Sequence, residues 1–329
     1  MLNNSKDLFD VVLLFALPAS GKSEVRHLLA NVPEEKLQKE FHFGQTLQLD
    51  DFPYVHMMRR IDMECEKIDQ PRIYYSGDET PVYDAHDNAT LIELINEDYH
   101  DLMNRNVIKT DSAAQLLFDR IDNASIKAGM PARMAALDEN VRDELARRLE
   151  KEARDLLDEK HKGYPDDFNN KTIVFEAARG GKDGSSMPLS DPDGYQFSLR
   201  YLCPEMLRKA VILYIQVSPE ESRRKNFERT DPNDPGSILN HGVPLAVMLN
   251  DYGCDDMEYL INHSEVKDTV TVKTADQTYH IPVGIFDNRD DKTTYFRQDP
   301  KNWQQDKVDS FMDDVKKVTD LIYKNYKKD

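Results

Sequence analysis

A near-continuous apolar run, Phe9-Asp-Val-Val-Leu-Leu-Phe-Ala16, leads directly into Leu-Pro-Ala-Ser-Gly21-Lys22-Ser23 and then into a helical pattern, Glu24-Val-Arg-His-Leu-Leu-Ala30. No other stretch constrains the fold of this chain as much. An apolar run of that kind reads as a strand buried on both faces, the habit of parallel sheets. A Gly-Lys-Ser turn between such a strand and a helix is close to the pattern G-x-x-x-x-G-K-[ST]. Backbone N–H groups of such a loop bind phosphate oxygens, and the helix that follows adds the positive end of its dipole. On this reading Lys22 bridges the β- and γ-phosphates and the Ser23 hydroxyl meets Mg²⁺. Pro18, Ala19, Ser20, Gly21, Lys22, Ser23 and Glu24 are the residues expected on the nucleotide. One position departs from the pattern: Ala16 stands where its first glycine would be, which adds a methyl group and removes no donor.

Apolar runs recur at Thr172–Phe175, Ala210–Val217 and Ile281–Phe286, with a weaker one at Thr46–Leu49. Helical patterns lie between most of them, so an α/β domain with a mainly parallel sheet is expected. Residues 53–167 differ. Leu91, Ile92, Leu94, Ile95, Tyr99, Leu102 and Met103 recur at helical spacing, and a second set runs Leu116, Leu117, Phe118, Ile121. A third carries Leu137, Val141, Leu145, Leu149, Ala153 and Leu156, with Asp143–Arg147, Glu144–Arg148 and Glu150–Arg154 placed to pair at i,i+4. The expected organisation is an α/β core of residues 1–52 and 168–329 interrupted by a helical insertion at 53–167. A last helix is expected over Asp306–Tyr326.

The chain has 329 residues, 43 Lys plus Arg and 61 Asp plus Glu, for a formal net charge of −18. Phosphate backbones and anionic membranes recruit basic surfaces, so neither is an expected partner. The apolar run at 11–19 is too short to span a bilayer and follows Asp7 and Asp10 rather than a basic segment, so it is not read as a signal peptide. Three cysteines, Cys65, Cys203 and Cys254, have no zinc-site spacing and suit reduced thiols in the cytoplasm. The nine histidines form no H-E-x-x-H pattern.

The strand, loop and helix at 9–30 resemble the P-loop NTPase superfamily, and other segments point to its kinase branch. Thr46-Leu-Gln-Leu-Asp50-Asp51-Phe52-Pro53-Tyr54 is similar to the Asp-Asp-Phe or Asp-Ser-Phe-Tyr segment of uridine kinase and nicotinamide riboside kinase. A β-α-β unit is expected to bring the end of this second strand beside the end of the first. The resemblance gives Asp50 the role of base toward an acceptor hydroxyl and makes Asp51 a neighbour or magnesium helper. An acid before Pro53 also suits a helix cap.

Thr172-Ile-Val-Phe-Glu176-Ala-Ala-Arg179 ends a strand in an acid and then an arginine, and it resembles the Glu-Arg-Ser segment of deoxynucleoside kinases. That implies Glu176 on Mg²⁺ and Arg179 on substrate; the structural alternative is a Glu176–Arg179 ion pair. Ser218-Pro219-Glu220-Glu221 opens a helix carrying Arg223, Arg224, Lys225 and Arg229, followed by Asp231–Gly236. This resembles the lid region of nucleoside and nucleotide kinases, which points to Arg224 and Arg229 as transition-state arginines. The alternative is a surface helix paired with local acids. After a fifth strand, Asn288 lies where kinases of this fold meet adenine.

The resemblance implies a five-stranded parallel sheet in the order 2-3-1-4-5. It also implies a Mg-ATP-dependent kinase acting on a hydroxyl of a small-molecule acceptor, nucleoside- or nucleotide-like, with a homodimer left open. An NTPase coupled to a partner protein and a non-catalytic nucleotide sensor are the competing functions.

Overall fold

The computed structural model of the protein describes residues 7–229 and 242–326. The chain runs β1 (Val11–Phe15), α1 (Lys22–Ala30), α2 (Glu34–Phe41), β2 (Gln45–Asp50), α3 (Phe52–Lys67), α4 (Asp87–Asn104), α5 (Ala113–Lys127) and α6 (Glu139–Lys162). It continues with β3 (Lys171–Ala177), α7 (Gly194–Leu199), α8 (Pro204–Leu207), β4 (Ala210–Gln216), α9 (Pro219–Arg229), α10 (Leu245–Asn250) and α11 (Met257–Asn262). The last elements are β5 (Thr269–Lys273), β6 (Thr278–Asp287), two short 3₁₀ turns and α12 (Gln305–Asn325). Two compact units result. The first is Met1–Gln48, Phe168–Gln196 and Pro204–Asp329; the second is Leu49–Asp167 and Phe197–Cys203.

The protein is α/β, with a six-stranded sheet in the order β2-β3-β1-β4-β6-β5. This corrects the expected five-stranded order. The added strand, β5, pairs antiparallel with β6, while β1 pairs parallel with β3 and β4, and β4 pairs parallel with β6. β5 alternates buried Val270 and Val272 with more exposed Thr271 and Lys273, as an edge strand does. β3 lies between β2 and β1, so the second strand does not end beside the first as expected.

All five residues of β1 are buried. Val12 and Leu14 share one face with Val174, Leu213 and Ile215, and Val25, Leu28 and Leu29 of α1 join the same cluster. Phe311, Met312, Val315 and Ile322 of α12 also enter it at helical spacing. Each such side chain contributes roughly 1.5–3 kcal/mol by leaving water. α12 lies close against β6 because Gly284 has no side chain: a Cβ there would sit 2.6 Å from Val318 and 2.7 Å from Ile322.

The second unit is built on α3 to α6. On α6 the buried stripe is Leu145, Leu149, Ala153 and Leu157, with Leu157 where the sequence pattern suggested Leu156. Glu144–Arg148 and Glu150–Arg154 pair as expected, at 2.7 and 2.8 Å. Arg147 instead turns to Glu144 at 2.6 Å, and Asp143 accepts from Gln115. Inside the unit, Arg120 donates to Tyr54, Asp98 and Glu97, which compensates a guanidinium in a dry setting. Among the described residues, no helix is long and apolar enough to cross a membrane.

Candidate functional site

The site is built from the loop between β1 and α1. Two of its residues have left-handed backbones, Ala19 at φ 54° and Gly21 at φ 105°. Gly21 needs its hydrogen for a second reason: a Cβ there would lie 2.3 Å from Thr293 Oγ1. Ala16 is fully buried within the core cluster, so its methyl group packs inward. α1 starts at Lys22, whose ammonium reaches back to the Ala16 and Leu17 carbonyls at 3.1 and 3.4 Å. Ser23 is exposed in the first turn, beside Glu24.

Other elements of the same unit grip the loop from behind. The Ser222 hydroxyl of α9 donates to the Pro18 carbonyl at 2.7 Å. The Asn288 amide donates to the Ser20 carbonyl at 2.7 Å and to Thr293 Oγ1 at 2.9 Å. Asn288 Oδ1 accepts from Lys292 N at 2.7 Å. The side chain expected at adenine is therefore fully buried and holds the loop. Within the loop, Ser20 Oγ is buried and has no hydrogen-bond partner among the described residues.

The cations fall into two groups. On α9, Ser222, Lys225 and Arg229 follow one another at intervals of three and four, so they share a helix face. Lys225 is completely buried, with its ammonium 2.6 Å from Asp291 and 2.9 Å from Thr293 Oγ1. Arg229 lies in the field of Glu24 and Arg297, and burial pushes its guanidinium below the usual arginine range. No carboxylate among the described residues comes within ion-pair distance of Arg229. Arg297 is bound to Glu24 at 2.6 Å.

Arg224 lies off that face. It pairs with Glu221 at 2.6 Å, Glu228 at 2.5 Å and Asp291 at 3.3 Å. For Arg224 the surface ion-pair alternative is what the structure shows. The segment Asp231–Gly236, expected as a lid, lies outside the described residues.

At the third strand, Glu176 is in register with Leu14 and forms an ion pair with Arg26 of α1. The acid expected on Mg²⁺ thus has a cationic neighbour on α1 that the sequence reading did not foresee. Arg179 is buried and donates to its neighbour's carbonyl, Ala178 O, at 2.7 Å. Asp50 and Asp51 belong to the second unit. There Asp50 Oδ1 accepts the Phe52 amide at 2.9 Å, while Asp51, the residue before α3, makes no side-chain cap bond.

Sequence reasoning missed Ser222, and it named Lys225 only as part of the basic cluster; it also missed Thr293 and Arg297. The signal for the first two was their spacing to Arg229 on one helix; Thr293 and Arg297 carry no local pattern. It also missed Asp255, which accepts the Tyr214 hydroxyl at 2.8 Å and whose carboxyl burial pushes up to about 6. Compared with known proteins, the chain matches no family model, no curated protein and no solved structure.

Proposed function

We propose that the protein is a cytoplasmic ATP-dependent kinase that transfers the γ-phosphate to a hydroxyl of a small molecule, a nucleoside or nucleotide-like acceptor. The observation that carries this reading is the charge at the start of α1. Arg297 is bound to Glu24 in the first turn of α1, and Arg229, in the field of both, is half-buried with no carboxylate within ion-pair distance among the described residues. Burying an uncompensated guanidinium is costly, and an anionic ligand removes that cost. Triphosphate chemistry fits, because the transferred group carries its charge on outer oxygens that such cations stabilise.

The loop fits a nucleotide in shape as well. Gly21 and Ala19 turn the backbone so that phosphate oxygens meet amides rather than side chains. Lys22 supplies a point charge. The exposed Ser23 hydroxyl is a group that suits Mg²⁺, which would neutralise phosphate charge; Glu176, expected beside it, carries an ion pair to Arg26 that Mg²⁺ would have to share. Asp50 is the proposed base, held in place through the Phe52 amide.

The test is ADP release measured with and without candidate acceptors, for the wild type and for Lys22→Ala. An acceptor-dependent rise that Lys22→Ala abolishes supports the kinase. Release that no acceptor changes points to an NTPase, and tight binding without release to a sensor. Unchanged affinity and turnover in Lys22→Ala overturns the loop assignment.

A further inference from the structure

We propose that the inward face of α9 is a strut that sets the shape of the phosphate loop, with Lys225 as its central positioning residue acting through Thr293. The proposal deepens the nucleotide reading above and rests on it for its meaning, but its geometry stands on its own.

A lysine with no exposed surface is rare, because an ammonium loses its hydration when buried. Lys225 makes good that loss with two partners, Asp291 Oδ1 and Thr293 Oγ1. Burial pushes the Asp291 carboxyl up, but the bond to Lys225 and its charge outweigh this and hold it at about 2. The Asp291 carboxylate is therefore ionised throughout the neutral range. It fixes Thr293, whose oxygen also accepts from Asn288. Thr293 in turn lies against Gly21, in the space a Cβ there would take.

Two further bonds act on the loop directly. Ser222 draws the Pro18 carbonyl toward α9, and Asn288 draws the Ser20 carbonyl toward the turn after β6. In a trans peptide the carbonyl oxygen and the next amide hydrogen point to opposite sides of the plane. Fixing those two carbonyls outward therefore aims the Ala19 and Gly21 N–H groups the other way, toward the concave side of the loop. The helix that orients these amides also carries Arg229 on its next turn. One rigid element thus determines where the loop donors and this cation stand relative to each other, the kind of preorganisation that polyanion binding rewards.

The experiment compares wild type, Thr293→Val and Thr293→Ser by hydrogen exchange over residues 16–24, by calorimetric affinity for ATP with Mg²⁺, and by thermal melting. Thr293→Val keeps shape and loses the acceptor; Thr293→Ser keeps the acceptor. The strut predicts faster loop exchange and about tenfold weaker ATP binding in Thr293→Val, at a temperature where it is fully folded, with Thr293→Ser close to wild type. If Thr293→Val does not fold, Ser222→Ala takes its place, since it removes one hydroxyl from a separate bond to the loop. Unchanged loop exchange in the folded variant overturns the strut, and so does a Thr293→Ser variant as impaired as Thr293→Val. A wild type without ATP affinity overturns the nucleotide reading instead, and the exchange data still decide the strut.

Discussion

The Arg26 guanidinium is ion-paired with the Glu176 carboxylate, which ties the second turn of α1 to the end of β3. Glu176 is one-tenth exposed and Arg26 about one-third, at 10% and 31% of their side chains. Removing the acid leaves a cation that can rehydrate, so the cost stays below that of a fully buried pair. Glu176→Gln should lower stability by about 1–2 kcal/mol, read from denaturant unfolding. The magnesium requirement of ATP binding should stay where it is in the wild type. A raised magnesium requirement with unchanged stability would return Glu176 to the metal.

Arg229 and Arg224 sit on one helix in opposite circumstances. Arg229→Met should weaken ATP binding about tenfold or more, since a charge-assisted contact is lost. The same variant should melt at or above the wild-type temperature without ligand, because a half-buried cation with no ion-pair partner among the described residues has been replaced by an apolar chain. Arg224→Met removes only exposed pairs and should change either quantity little. Calorimetry and thermal melting on both variants check this. Equal losses of affinity would mean that the exposed arginine reaches the nucleotide too.

How much of this could be read in the sequence depended on whether the signal was local. The first strand, the Gly-Lys-Ser turn and α1 were legible because burial on both faces leaves a continuous apolar run and the turn follows at once. β5 was legible in principle, since Thr-Val-Thr-Val-Lys alternates strictly, but the search was for apolar runs and an edge strand is half polar. Glu176 was recognised as an acid at a strand end, yet its partner Arg26 lies on another element, a pairing no sequence spacing encodes. The basic helix was legible as a cluster; which arginine faces inward follows from Ser222 and Lys225, whose contacts with Pro18 and Thr293 are long-range. Ala16 read as a departure, and in the fold its methyl group is one more piece of core.

Asp255 gives a pH prediction. Burial is the main cause of its raised value, about 6, followed by the amide of Met257 and the Tyr214 hydroxyl, which pull the other way. The folded state therefore holds this proton more tightly than the unfolded chain does. Between about pH 4 and pH 6 the folded state binds more protons, so this group's contribution to stability falls as pH rises, and it is flat above that. Its ceiling is about 3 kcal/mol. Asp255→Asn keeps an acceptor for Tyr214 and never ionises. It should be more stable than wild type at pH 8, with the difference shrinking toward pH 4, in denaturant titrations at both pH values. A constant difference across that range would mean that the Asp255 carboxyl titrates as an ordinary surface acid.

Asp50 separates a kinase from a binder. Its Oδ1 accepts the Phe52 amide, and an asparagine at this position retains that oxygen, so Asp50→Asn should leave the start of α3 intact. What the substitution removes is the charge and the capacity to take a proton. If Asp50 is the base, kcat falls by about 10²–10⁴-fold while ATP affinity stays near wild type. Asp51 is buried and makes no side-chain cap bond at the start of α3, so Asp51→Asn isolates its own contribution. It should reduce kcat less than Asp50→Asn does. Turnover with the preferred acceptor, measured alongside calorimetric ATP affinity for both variants, decides the assignment. A larger loss at Asp51 exchanges the two roles, and wild-type turnover in both removes these acids from the chemistry and leaves Asp50 as the residue that shapes the turn into α3.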